Sequence, residues 1–142
     1  MTDHAQAAID ALAKHPAIGF SPSEVIGGIQ AAQDLCYDLA KHAGWHDNID
    51  YTDVREVATK LCLVHSEVSE ALEGVRKGKM DDHLPDRPAI EVELADAAIR
   101  IFDLAGALGF DIGSAIVRKL AYNATRKDHT REARAAEGGK KV

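Results

Sequence analysis

Cysteine is nearly absent from this sequence: Cys36 and Cys62 are the only two among 142 residues. Both fall in helical patterns without metal-ligand spacing, which excludes a disulfide scaffold and a thiolate zinc site and reads them as reduced, buried apolar residues. Aromatic residues are also scarce, at one Trp, three Tyr and three Phe, so any ring that stacks on a ligand must come from that short set. No run of about 18 apolar residues is present to span a membrane. The polar, amphipathic start MTDHAQAAIDALAKH has no signal-peptide character. A soluble, cytoplasmic protein is the resulting expectation. There is no HExxH and no Glu-x-x-His, so zincin chemistry and a di-iron carboxylate bundle are set aside. We find no internal repeat and no strand of convincing length.

Charge is present but uneven. Residues 1–117 carry nine basic and twenty acidic side chains, a balance of −11, whereas residues 118–142 carry eight and three, a balance of +5. That division argues against direct nucleic-acid binding, which usually shows a basic domain, and fits an acidic metal site facing a local patch for a small phosphate-bearing anion.

In chain order, residues 3–14 carry a loose apolar stripe and predict a short helix that ends before His15-Pro16. Ser21-Pro22-Ser23-Glu24 reads as a capping box with proline at the first helical position, opening a helix through Val25, Ile29, Ala32, Leu35, Cys36 and Leu39 to about Gly44. Gly27-Gly28 costs that helix about 1 kcal/mol per glycine, so either the helix starts after the pair or another backbone packs closely there. The turn-rich Gly44–Asn48 segment holds Trp45, which either plugs a helix end or stacks on a base. His42 and His46 read as surface or packing residues.

Asp53 opens a helix to Lys77 with Gly78 as its C-cap, and its apolar stripe is Leu61, Val64, Val68, Ala71, Leu72 and Val75. Residues 79–88 form a mobile, lid-like loop. A helix over 89–107 presents Ile90, Leu94, Ala97, Ala98, Ile101, Leu104 and Ala105 to the core. Asp111 caps a last helix over 112–127. The domain expectation is a short helix and linker over 1–20, an all-α domain over 21–128 and a flexible charged tail over 129–142.

Two acidic signatures dominate this layout: Glu67-x-x-Glu70 and Glu93-x-x-Asp96. Residues three apart share a helix face, so each signature presents two carboxylates together, and four acids can meet across one helix pair. Like charges at that spacing repel unless a cation intervenes, and oxygen ligands suit Mg2+. Downstream, Lys119, Asn123 and Arg126 align two cations and an amide in one row on another helix.

Glu67-Val-Ser-Glu70, a spacer of 22 residues, Glu93-Leu-Ala-Asp96 and then Lys119, Asn123 and Arg126 resemble the MazG-like all-α nucleoside triphosphate pyrophosphohydrolases, a superfamily that includes the dimeric dUTPases. The resemblance spans residues 24–130. It implies a four-helix-bundle-like module with a short extra N-terminal helix, oligomerising through helix packing as a homodimer or homotetramer. It further implies hydrolysis of a (d)NTP between the α and β phosphates to (d)NMP and pyrophosphate, in the manner of nucleotide-pool cleansing. Glu67, Glu70, Glu93 and Asp96 would hold Mg2+, with Mn2+ as a substitute, and one glutamate would polarise the attacking water. Lys119 and Arg126 would pair with phosphates, Asn123 with the nucleotide, and Trp45, Arg100 and Lys77 are further nucleotide-binding candidates. The competing expectation is a non-catalytic helical oligomer that binds nucleotides or a protein partner.

Overall fold

The computed structural model describes residues 6, 9–10, 12–14, 19–136 and 138, and every described element is helical. In order these are α1 (Pro22–His42), α2 (Val54–Lys77), α3 (Ala89–Ala107), α4 (Ile112–Ala124), a 3-10 turn (Lys127–His129) and α5 (Arg131–Ala135). The helix expected over 3–14 lies largely outside the described residues. Among those described, pairing of extended backbone is confined to one isolated bridge, Met80 to Pro88. No helix among them is long and apolar enough to cross a membrane.

The helix starts follow from local chemistry. Ser21 and Glu24 cap α1 reciprocally: the Ser21 amide donates to Glu24 Oε2 at 2.7 Å, and the Glu24 amide donates to Ser21 Oγ at 3.3 Å. Asp53 accepts from the Arg55 amide, and Asp111 from the Ser114 amide. Gly78 closes α2 in the left-handed region at φ 59°, where a side chain would be strained. The α1 helix runs unbroken through Gly27 and Gly28, and an added Cβ at either would meet nothing within 4 Å. The reading in which the helix starts after the pair is therefore corrected, and no backbone among the described residues packs against either glycine.

The chain divides into two compact units, residues 31–110 and the remainder, with α1 contributing to both. In the first unit α2 and α3 are the main packed pair. They run antiparallel, since their contacts step in opposite directions, from Gly74 beside Ala89 through Glu67 with Arg100 to Lys60 with Asp103. Small residues let the backbones approach: a Cβ on Gly74 would lie 3.0 Å from that of Ala89. The end of α1 is fixed by the buried Gln33, whose Nε2 donates to the Phe110 carbonyl at 2.7 Å, and by Tyr37, which lies directly against Gly106. The loop between α2 and α3, expected to be mobile, is closed by its own bonds. Asp81 accepts from the amides of His83 and Leu84, and its amide reaches the Arg87 carbonyl. In the second unit, Gly113 of α4 lies against the Ile26 backbone of α1, and Val117 and Ala121 are buried.

The apolar stripes face differently from expectation. Of the α2 stripe only Ala71 is buried, while Leu61, Val68, Leu72 and Val75 are exposed; on α3, Ala97, Leu104 and Ala105 are buried but Ile90, Leu94 and Ile101 are exposed. The physical reason is that these helices are apolar on two faces, and one chain covers only the face whose small residues allow close contact. Leu35 and Leu39 of α1 are exposed too. Cys62 is exposed and Cys36 only half-buried, both as free thiols, which corrects the buried reading. The α4 helix stops at Ala124, short of 127, and five residues of the expected tail form α5, capped by Thr130 Oγ accepting from the Ala133 amide.

Candidate functional site

Glu67 sits on the α2 face that meets α3, one turn before Ala71 and two before Gly74, and the close approach at those small residues buries it to 6% exposure. Across the interface Glu93 and Asp96 are half-buried on α3. One carboxylate oxygen from each of Glu67, Glu93 and Asp96 lies within 4.8 Å of the others. Glu70 is exposed and outside that triad, yet its charge bears on it. Burial first, then the charge of Glu70, a hydrogen bond with Glu67 and the charges of Glu67 and Asp96 push the Glu93 carboxyl above its usual range.

The donor set fits a hard divalent cation. All donors are oxygens, which favours Mg2+ or Mn2+ over softer metals, and an ion with ligands at about 2.1 Å spans about 4.2 Å between opposite donors. Modest side-chain rotation would bring the triad to that size. The protein supplies one cation itself, since Arg100 Nε donates to Glu67 Oε1 at 2.5 Å.

Beside the acids opens a cleft of about 290 Å³, with Trp45, Lys60, Leu63, Asp96, Ile99, Arg100 and Asp103 among its walls. Asp96 thus belongs to both the triad and the cleft. Trp45, on the turn after α1, is 68% exposed and lines the cleft.

Sequence reasoning missed the polar group at the far side of this cleft. His46 Nε2 lies 2.7 Å from Asp103 Oδ1 and His46 Nδ1 2.5 Å from the Tyr51 hydroxyl, with Lys60 Nζ 3.6 Å from Asp103 Oδ2. Tyr37 meets the His46 ring edge-on at 5.0 Å. Burial, then the Asp103 charge, raises the Tyr51 phenol and keeps it a donor; the same two causes raise the Cys36 thiol, which argues against a nucleophilic cysteine. One sequence signal was available. Lys60 stands seven residues before Glu67 and Asp103 seven after Asp96, so each continues the face of an acidic signature by two turns.

The remaining candidates are not among the residues of the triad or its cleft wall, apart from Trp45 and Arg100 already placed there. Lys77 pairs with Glu73 at 2.8 Å at the loop end of α2. Lys119, Asn123 and Arg126 belong to the other unit. There Lys119 Nζ lies 4.9 Å from the centre of the Tyr122 ring, Arg126 pairs with Asp128, and Asn123 Oδ1 is buried with no hydrogen-bond partner among the described residues. Compared with known proteins, the chain matches no family model, no curated protein and no solved structure.

Proposed function

We propose that the chain is a divalent-cation-dependent nucleoside triphosphate pyrophosphohydrolase, releasing a nucleoside monophosphate and pyrophosphate. The observation that carries this reading is the double role of Asp96, which lines a nucleoside-sized cleft and stands in the acid triad. When bound, Mg2+ supplies charge neutralisation for phosphate oxygens and orientation for a water.

The chain's own residues do the rest. Glu67, Glu93 and Asp96 hold the cation, with Glu70 adding charge at their edge. Trp45 offers its face to a base, and Arg100, at the cleft wall, offers N–H donors to phosphate. A water oxygen bonds to the α-phosphorus as the bridging oxygen leaves with pyrophosphate, and a carboxylate of the cluster takes the water's proton. Phosphate pairing by Lys119 and Arg126, with Asn123 beside them, is carried by the sequence resemblance alone. The exposed apolar stripes of α2 and α3 support association into a homodimer or homotetramer.

A panel of (d)NTPs with Mg2+ or Mn2+, read for pyrophosphate and monophosphate, tests the activity. Release from at least one (d)NTP, lost in Glu67→Gln or Asp96→Asn, is expected. Absence of cleavage across the panel would sink the hydrolase reading; tight nucleotide binding without turnover would favour the non-catalytic oligomer.

A further inference from the structure

We propose that His46 is a positioning residue for Trp45: held between Asp103 and Tyr51, it fixes the turn that carries the indole and thereby sets nucleotide affinity rather than the rate of cleavage. This deepens the reading of the cleft as a nucleotide site and rests on it.

The first ground is that Trp45 has no anchor of its own. Its side chain is 68% exposed and, among the described residues, makes no hydrogen bond or ring contact, yet it lines the cleft with Asp96 and Arg100. A ring so placed goes where its backbone goes. That backbone is a turn with two left-handed residues, Gly44 at φ 82° and Asn48 at φ 62°. The Trp45 amide donates to the Ala40 carbonyl at 3.0 Å and the Asp47 amide to the Gly44 carbonyl at 3.1 Å. These bonds close the turn on itself and on the end of α1, and none reaches α2 or α3.

His46 supplies that reach, which is the second ground. It follows Trp45 in the chain, and its side chain is only 9% exposed. In the tautomer with its proton on Nε2, it donates to Asp103 Oδ1 at 2.7 Å and accepts the Tyr51 hydroxyl at Nδ1, while Tyr37 meets the ring edge-on. Three segments thus close on one imidazole: the end of α1, the stretch before α2, and α3. With both nitrogens bonded, the imidazole is held directionally, and a satisfied buried network of this kind rigidifies what it joins.

The third ground is where the anchor stands. Asp103 follows Asp96 by seven residues on α3, about 10 Å along the helix axis, and both line the cleft. The helix that carries Glu93 and Asp96 of the triad therefore also holds the turn that carries the indole. His46 itself belongs to neither the triad nor the cleft wall, so its effect on binding is separable from the chemistry.

The test joins kinetics with fluorescence. With Mg2+ and the best-cleaved of the common (d)NTPs, His46→Leu should raise KM about tenfold, the size of one lost base–aromatic stack, while kcat stays within about twofold. Trp45→Ala should raise KM to a similar extent and the double variant no further, because the two side chains act as one. His46→Gln, which keeps a donor toward Asp103, should recover most of the affinity. Without nucleotide, the fluorescence anisotropy of Trp45, the sole tryptophan, should fall in His46→Leu as the indole gains nanosecond freedom. Circular dichroism and melting temperature report whether each variant folds. If His46→Leu does not, Tyr51→Phe, which removes one of the two bonds, decides the matter by the same readouts. Additive losses in the double variant, a matching fall in kcat, or unchanged anisotropy in a folded variant overturns the positioning role and leaves the nucleotide site standing. Failure of every (d)NTP to bind overturns the nucleotide reading itself, and the effect on affinity with it.

Discussion

Arg100 donates its Nε–H to Oε1 of the buried Glu67 at 2.5 Å, so the protein's own cation lies against the acids that would hold a metal. Arg100 and a divalent ion compete for the same carboxylate. Removing the arginine in Arg100→Gln should therefore tighten Mn2+ binding severalfold in the absence of nucleotide. In chelator the same variant should lose about 1–3 kcal/mol, since a buried carboxylate is left without its partner. Calorimetric Mn2+ titration with thermal melts in EDTA checks both signs; weaker Mn2+ binding would show that Arg100 supports the metal site rather than competing for it.

Glu93 supplies a prediction in pH. Its carboxyl is raised by burial and then by Glu70, Glu67 and Asp96, so its charged form is disfavoured in the folded chain. A raised acid stabilises the fold while protonated and loses that contribution as pH rises through its folded-state value. In EDTA, Glu93→Gln should be more stable than the parent at neutral pH, and the gap should close as pH falls through the raised range. Divalent cation should reverse the order by stabilising the parent alone. Melting curves of the two proteins from neutral pH down through the ordinary carboxylate range, with and without Mg2+, test this; a pH-independent gap would contradict it.

Glycines at two places should respond oppositely to the same change. A Cβ on Gly106 would lie 2.6 Å from that of Tyr37. Gly106→Ala should thus cost about 1–3 kcal/mol by overpacking, and it should disturb His46 through Tyr37. Gly27→Ala and Gly28→Ala meet open space within a helix and should each gain about 0.5–1 kcal/mol. Denaturant unfolding of the three variants checks these signs. A loss at Gly27 or Gly28 would reveal a second chain packed on that helix.

These contrasts show what was legible in the sequence. Ser21 with Glu24, Asp53 and Gly78 fixed the helix limits because capping acts over two or three residues. That Glu93 and Asp96 share one helix face was legible for the same reason, helix periodicity being local; their meeting with Glu67 across the helix pair was an expectation from the pairing of the two signatures. Which apolar face turns inward was not, because α2 and α3 each offer two, and the choice depends on how closely Gly74 lets Ala89 approach. The His46–Asp103 contact joins residues 57 apart in the chain, and no local pattern marks it. Nor does spacing show that Glu70 stays exposed and outside the triad.

The face left uncovered gives the last prediction. Leu61, Val68, Leu72 and Val75 recur at helical spacing along α2, with Leu72 at 62% exposure, and Ile90, Leu94 and Ile101 do so along α3. Scattered exposed leucines are ordinary, but rows aligned along two helices are of the kind that helix association covers. The protein should therefore run above monomer mass by light scattering. Glu substitutions at Leu72 and Leu94 distinguish the cases. On a monomer's surface each should change stability by no more than about 0.5 kcal/mol. Within an interface they would place unpaired carboxylates against apolar side chains, so the assembly should dissociate and its melting temperature should become independent of protein concentration. A parent protein already at monomer mass, with variants of unchanged stability, would show that these rows are open surface in solution.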